Sequence, residues 1–135
     1  MSKKYLITGG AGFIGSNYVD RLLKKGKKVR IIDNLSRSNT EKNIEWLQSN
    51  HGMNSFEFMK NDIRDLTAMK TAVEDMDVIV HFAGQVAVTT SVVEPMKDFE
   101  INALGTMNVL EAARLSGNQP VVLYSSTNKV YGGME

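Results

Sequence analysis

A glycine-rich turn near the N-terminus constrains the fold of this chain more than any other feature. Gly9, Gly12 and Gly15 follow a short apolar run, residues 5–8, and open a stretch with helical spacing. Glycines let the backbone turn sharply there, and a negatively charged group can approach the free N–H groups at the helix N-terminus. The strand, turn and helix together predict a phosphate-binding turn, whereas the glycines alone would also fit an ordinary strand-to-helix connection.

An acidic residue follows at the spacing expected of a dinucleotide site. Asp33 lies 18 residues after Gly15 and ends the next apolar run. A carboxylate in that place accepts hydrogen bonds from the adenosine ribose hydroxyls and repels a 2′-phosphate, which predicts NAD as the cofactor. Arg37 lies nearby and could pair with a phosphate, so NADP remains the alternative.

Five short runs of apolar and β-branched residues alternate with segments of helical spacing. The predicted strands cover residues 5–8, 28–32, 55–59, 77–81 and 121–125, and the predicted helices cover residues 12–25, 38–51, 65–73 and 95–115. This alternation favours a parallel sheet with helices on both faces and right-handed crossovers. We therefore predict an α/β chain with a Rossmann-type doubly wound sheet, in the order 3-2-1-4-5, that ends after the fifth strand.

Several side chains have an expected place in this arrangement. Ser38 and Glu41 have the spacing of a capping box and would begin the second helix. Ile14 and Trp46 are expected on the buried faces of the first and second helices. His81 ends the fourth strand with no second metal ligand spaced for it, so we expect a packed or hydrogen-bonded histidine there.

Composition excludes several classes of function. The formal net charge is +1 with no basic block, so nucleic acid is not an expected partner. The sequence contains no cysteine, which excludes disulfides and thiolate metal sites and is compatible with a cytoplasmic location. No long apolar segment is present, so neither a signal peptide nor a membrane-spanning segment is expected.

The run of residues 8–16 resembles the signature of the extended short-chain dehydrogenase/reductases, a family of nucleotide-sugar epimerases and dehydratases. Four later segments resemble that family in the same order, namely residues 33–35, 61–63, 81–84 and 130–132. The resemblance implies an NAD-binding Rossmann domain over residues 1–135 and a nucleotide-sugar substrate.

The same resemblance implies a cofactor contact for each of fourteen residues. They are Gly9, Gly12, Phe13, Ile14, Gly15, Asp33, Asn34, Asp62, Ile63, Ala83, Gly84, Gln85, Asn102 and Ser125. Gly9 to Gly15 of this set would hold the pyrophosphate, Asp33 and Asn34 the adenosine ribose, and Asp62 and Ile63 the adenine. Ala83, Gly84 and Gln85 would line the middle of the cofactor. Asn102 would support the nicotinamide side, and Ser125 would lie at the end of the fifth strand.

The resemblance also implies a catalytic role for Thr127, which occupies the position of the family's serine or threonine that hydrogen-bonds the reacting sugar oxygen. Residues 83–91 and 124–132 most resemble the branch that inverts C2 of a CDP-sugar through a keto intermediate. No tyrosine of the chain is followed by lysine four positions later, although the family's catalytic pair has that spacing. We therefore expect the cofactor-binding portion of an enzyme, without the substrate-binding portion and inactive alone.

Two other functions remain open. Dehydratases of the same family place aspartate and glutamate directly after the threonine, and this chain has Asn128 and Lys129 there. A non-catalytic NAD-binding module is the second alternative. A fifth strand at the edge of the sheet could also pair with another copy, so a homo-oligomer is possible.

Overall fold

The computed structural model describes residues 2–127 and contains a five-stranded parallel sheet. The strands are β1 (Lys4–Thr8), β2 (Lys28–Asp33), β3 (Glu57–Lys60), β4 (Val78–His81) and β5 (Val121–Tyr124). Their order is β3-β2-β1-β4-β5, and every neighbouring pair is parallel. The predicted Rossmann-type sheet and its strand order are confirmed.

Helices connect successive strands and cover both faces of the sheet. They are α1 (Phe13–Lys24), α2 (Thr40–His51), α3 (Leu66–Ala72), α4 (Val88–Val93), α5 (Pro95–Phe99) and α6 (Gly105–Leu115), with a π-helical turn, Glu100–Leu104, between α5 and α6. Leu6 belongs to the core cluster under α3 and α6, whereas its neighbour Ile7 belongs to the cluster under α1 and α2. Consecutive residues of a strand point to opposite faces, so β1 contributes to both cores.

The chain changes direction across the sheet at β1. It runs outward from β1 through β2 to β3 and then returns to the other side of β1 for β4 and β5. Because all strands are parallel, their carboxyl ends share one edge, where Thr8 lies beside Ile32 and His81 in the register. Open α/β sheets bind ligands in the crevice at such a reversal point.

The predicted start of the second helix is wrong by two positions. Helix α2 begins at Thr40, and the preceding Asn39 has a φ of 66° and makes no side-chain capping hydrogen bond. The hydroxyl of Thr40 instead donates to the carbonyl oxygen of Arg37 at 2.8 Å, which closes the turn before the helix. The predicted capping box of Ser38 and Glu41 therefore does not form.

Two residues predicted to be buried are exposed. Trp46 is 41% exposed, because Ile44 and Leu47 supply the buried face of α2 and residue 46 lies off that stripe. Ile14 is 62% exposed, since the buried face of α1 begins at Gly15.

The predicted single helix over residues 95–115 is wrong in its interior. The structure has α5, then the π turn Glu100–Leu104, then α6. An additional short helix, α4, precedes them and was not predicted. Single π-helical turns within α-helices are rare and occur frequently at functional sites.

Candidate functional site

Two glycines of the turn between β1 and α1 are required by the packing of the protein itself. Gly9 has a φ of +70°, and a Cβ atom there would lie 2.6 Å from the backbone nitrogen of Ala83. A Cβ atom on Gly15 would collide with the carbonyl oxygen of Gly9 and would lie 2.8 Å from the Cα atom of Gly10. These glycines let the turn, α1 and the segment after β4 approach one another closely.

The packing constrains Gly12 less tightly. It precedes α1 with φ −70° and ψ 171°, an extended conformation that any residue adopts. Within the described part of the chain, a Cβ atom there would meet only the carbonyl oxygen of Gly9, at 3.2 Å. A ligand that approaches the backbone closely would account for a glycine at this position.

The N-terminus of α1 offers backbone donors to an anion. Phe13, Ile14 and Gly15 form its first turn, and the first N–H groups of a helix have no intrahelical acceptor. The first turn contains no acidic residue. No carboxylate of the first turn therefore competes for the positive end of the helix dipole, and a phosphate can bind there.

The carboxylate of Asp33 lies directly beside the glycine turn. Its Oδ2 atom accepts a hydrogen bond from the N–H group of Ala11 at 3.0 Å, and its Oδ1 atom accepts one from the N–H group of Leu35 at 2.9 Å. Each carboxylate oxygen can accept a further hydrogen bond, as ribose hydroxyls would require. The structure thus brings the predicted phosphate-binding and ribose-binding residues together.

The segments after β2 and β3 are joined by side chains. Asn34 donates from Nδ2 to Oδ2 of Asp62 at 2.9 Å, and Arg64 donates to both carboxylate oxygens, at 3.0 and 2.8 Å. Hydrogen bonding from the Arg64 guanidinium is the main reason that the pKa of Asp62 falls to about 2, although burial opposes the shift. Asp62 is therefore a fixed carboxylate at neutral pH. Ile63, its neighbour, is buried at 6% exposure against Gly105.

The carboxamide of Asn102 braces the segment after β4. Its Oδ1 atom accepts a hydrogen bond from the N–H group of Gln85 at 2.8 Å, and its Nδ2 atom donates to the carbonyl oxygen of Gln85 at 3.1 Å. The side chain of Gln85 turns back onto the backbone of Ala87 through two hydrogen bonds, of 2.8 and 2.6 Å. A Cβ atom on Gly84 would lie 3.2 Å from Oδ1 of Asn102. Asn102 thus holds Gln85 and lies close against Gly84, two residues that were predicted to line the cofactor.

His81 is a hydrogen-bonded histidine, as predicted. It is 2% exposed, and its two ring nitrogens lie 2.6 Å from the hydroxyl of Thr8 and 2.9 Å from the hydroxyl of Thr106. Burial lowers the pKa of His81 to about 4. Across residues 2–127, no group of three or more histidine and acidic residues could hold a metal ion.

The last predicted site residues follow β5. The N–H group of Ser125 donates to the carbonyl oxygen of His81 at 3.3 Å, and the exposed Thr127 lies two residues further on. A shallow depression of about 300 Å³ lies beside this strand end, lined by Tyr18, Val80, Phe82, Leu123, Tyr124 and Ser125. Asn128, Lys129 and residues 130–132, which the sequence analysis used, lie outside the described residues.

Sequence reasoning missed three residues of this site. Arg64 holds Asp62, and the Asp-x-Arg spacing was the available signal. Thr106 lies one turn after Asn102 and contacts His81, but nothing local in the sequence connects it with a strand. Thr8 was assigned to the end of β1 and to the signature run but given no role, although its hydroxyl accepts a hydrogen bond from the N–H group of Ala83 at 3.2 Å.

The helices of the described region do not include one with the length and apolar character needed to cross a membrane.

A family model described as GDP-mannose 4,6 dehydratase matches residues 6–135. The CDP-paratose 2-epimerase of Salmonella typhi is 47% identical over 135 residues, which cover 98% of this chain and 39% of that protein. The chain thus spans about two fifths of that relative's length.

Two solved structures share the fold. The UDP-glucose 4-epimerase of Stenotrophomonas maltophila, crystallised with NAD and formylated UDP-arabinopyranose, has a TM-score of 0.87 and 31% identity, over 98% of this chain and 39% of that one. The dTDP-glucose 4,6-dehydratase DesIV of Streptomyces venezuelae, with NAD bound, also has a TM-score of 0.87 and 31% identity, over 98% of this chain and 42% of that one. Because the family model covers nearly the whole chain, this protein belongs to the extended short-chain dehydrogenase/reductase family of nucleotide-sugar epimerases and dehydratases.

Proposed function

We propose that residues 1–135 form the NAD-binding part of a nucleotide-sugar epimerase, with the dinucleotide along the carboxyl edge of the sheet. The observation that supports this most strongly is Gly12, whose backbone conformation suits any residue and whose missing side chain leaves the backbone open to a closely approaching ligand. Asp33, held beside the same turn, supplies the ribose contact. NAD-containing structures of similar proteins support the choice of cofactor.

Each group of site residues has a part in this proposal. The N–H groups at the start of α1 bind the pyrophosphate, and Asp33 with Asn34 holds the adenosine ribose. Asp62 and Ile63 flank the adenine. Ala83, Gly84 and Gln85 line the middle of the cofactor, with Asn102 behind them and Ser125 at the end of β5. NAD is preferred to NADP because the Asp33 carboxylate would repel a 2′-phosphate.

The chemistry of the proposed parent enzyme follows from its cofactor and from Thr127. When bound, NAD supplies a reversible hydride acceptor next to the sugar. Thr127 would hydrogen-bond the sugar oxygen that becomes a ketone, at the centre whose configuration the enzyme would invert. No tyrosine of the chain is followed by lysine four positions later. Residues 1–135 therefore do not supply a Tyr-Lys pair to remove the proton of the sugar hydroxyl. The chain alone should not turn over substrate.

A CDP-sugar inverted at C2 is the substrate that we propose. The CDP-paratose 2-epimerase of Salmonella typhi supports it, since that relative is 47% identical. A 4,6-dehydratase is the second candidate, favoured by the description of the matching family model. Asn128 and Lys129, in place of the aspartate and glutamate typical of dehydratases, favour the epimerase.

A calorimetric titration with NAD tests the proposal through Gly12→Ala. The added methyl group would lie 3.2 Å from one protein atom, the carbonyl oxygen of Gly9, so we expect a folded variant with a modestly lower melting temperature. In the proposed complex the same methyl group would occupy the space of the pyrophosphate. We expect at least a tenfold loss of NAD affinity, equivalent to about 1.4 kcal/mol. Unchanged affinity in the folded variant would contradict the proposal.

A further inference from the structure

A series of buried and half-buried hydrogen bonds runs from β1 through β4 to the π turn. The N–H group of Ala83 donates to the hydroxyl of Thr8 at 3.2 Å, and that hydroxyl lies 2.6 Å from Nδ1 of His81. Nε2 of His81 lies 2.9 Å from the hydroxyl of Thr106, which donates to the carbonyl oxygen of Asn102 at 2.7 Å. These five residues form what we call the hydrogen-bond relay.

The donors and acceptors of the relay can be assigned from its far end. Thr106 has one hydroxyl proton, and it is donated to the carbonyl oxygen of Asn102, so the same oxygen accepts a proton from Nε2 of His81. Burial lowers the pKa of His81 to about 4, so the ring is neutral near pH 7 and Nδ1 is an acceptor. Thr8 therefore donates to Nδ1 while it accepts from Ala83. Every member has a partner in one consistent direction.

The relay ends on the residue that holds the segment after β4. The backbone carbonyl oxygen of Asn102 accepts the last hydrogen bond of the relay. The side chain of Asn102 is hydrogen-bonded to both the N–H group and the carbonyl oxygen of Gln85. Asn102 belongs to the π turn, where the helical hydrogen bonding is not that of a regular α-helix. The Thr106 contact therefore ties this turn to the strand that carries His81.

We propose that His81 and Thr106 are positioning residues, which hold the π turn so that Asn102 presents the 83–87 segment to the nicotinamide half of the cofactor. This inference rests on the proposed function. Neither residue needs to touch NAD. Asp33 and Asp62, the proposed adenosine contacts, are fixed by hydrogen bonds to Ala11 and Asn34 that do not involve the relay. Loss of the relay should therefore affect the two halves unequally.

Thr106→Val tests the relay, because valine keeps the shape of threonine and removes its hydroxyl. Thr71→Val is a matched control, since the Thr71 hydroxyl also donates to a carbonyl four residues earlier in a helix, at 3.4 Å, but lies on the exposed part of α3 away from the relay. Thr106→Ser restores the hydroxyl and should restore the original behaviour. All variants are made in the full 135-residue chain.

Amide hydrogen exchange provides a readout that needs no ligand. In Thr106→Val we expect the Gln85 amide to exchange about tenfold faster relative to the Ile79 amide in β4, as loss of about 1.4 kcal/mol of local stability would give. Thr71→Val and Thr106→Ser should leave this ratio unchanged. Equal Gln85 exchange in Thr106→Val and Thr71→Val would overturn the relay.

Affinities for NAD and AMP provide the second readout. Thr106→Val should lose about tenfold in NAD affinity and less than about twofold in AMP affinity, because AMP lacks the second phosphate and the nicotinamide riboside that the 83–87 segment would contact. Equal losses for the two ligands would contradict positioning of the nicotinamide half. Failure of the unaltered chain to bind NAD would instead contradict the proposed function, whatever the exchange result.

Discussion

Asp33 and Ala11 are joined by a hydrogen bond of 3.0 Å from the Ala11 N–H group to a carboxylate oxygen of Asp33. This contact links the end of β2 to the turn that follows β1. It fixes the proposed ribose acceptor at one distance from the proposed pyrophosphate site, so a single dinucleotide can reach both.

Replacement of Asp33 by asparagine should change cofactor preference. The substitution keeps the side-chain shape but removes the charge that repels a 2′-phosphate. We expect the ratio of NAD to NADP affinity to fall by about tenfold or more, which corresponds to about 1.4 kcal/mol. Calorimetric titration with each cofactor measures it. Asp75→Asn is the control, because Asp75 is an exposed aspartate with a φ of 62°, a conformation that asparagine also adopts. An unchanged ratio in Asp33→Asn would contradict the assigned role.

Gly15→Ala should destabilise the fold more than Gly12→Ala does. Alanine is the better helix former, yet the new methyl group would collide with the carbonyl oxygen of Gly9. Overpacking of this kind costs about 1–3 kcal/mol in the free energy of unfolding. Urea unfolding of the two variants under the same conditions measures the difference. A Gly15→Ala chain as stable as the Gly12→Ala chain would show that the turn is less tightly packed than described.

The free energy of unfolding should decrease as the pH is lowered, because His81 takes up a proton more readily in the unfolded chain. Burial lowers its pKa to about 4 from 6.5, so between these values the unfolded chain binds a proton that the folded chain does not. The contribution of His81 to the free energy of unfolding is therefore complete above about pH 6.5 and is lost as pH falls toward 4, by up to about 1.4 kcal/mol per pH unit.

The ring resonances of His81 report this directly. We expect no titration above pH 5, because the ring is enclosed by threonine hydroxyls and by the ring of Tyr124, whose centroid is 5.8 Å away. A midpoint near 6.5 in the folded chain would refute the buried neutral form.

The chain is also expected to self-associate. Many apolar side chains of the segment from α4 to α6 are exposed, namely Val88, Val92, Val93, Met96, Phe99, Leu104, Met107, Leu110 and Leu115. Burial of this surface against a second copy would be favourable by about 25 cal/mol per Å² of apolar area. Light scattering should show a dimer or larger species that Leu110→Glu shifts toward monomer. A monomer at all concentrations would contradict the expectation.

The sequence predicted the features that depend on local spacing. The glycine turn, the acid at Asp33 and the alternation of strands and helices are read over short stretches, and the strand order is the one typical of the Rossmann-type fold that these features indicate together. The hydrogen-bond relay could not be read in this way, because Thr8 and His81 are 73 positions apart. The π turn and the exposure of Trp46 were missed for a related reason. Tertiary packing selects the helix face that is buried and the place where a helix departs from regular geometry, and local periodicity fixes neither.

A titration of the folded chain with NAD, followed through backbone amide resonances, tests the central claim most directly. We predict that saturating NAD shifts the resonances of residues 9–15 and of Leu35, whose N–H group is bound to Asp33. Resonances of α3 outside the site should stay in place. If a folded sample shows no shift in the glycine turn at saturating NAD, the pyrophosphate does not bind there and the proposed function is contradicted.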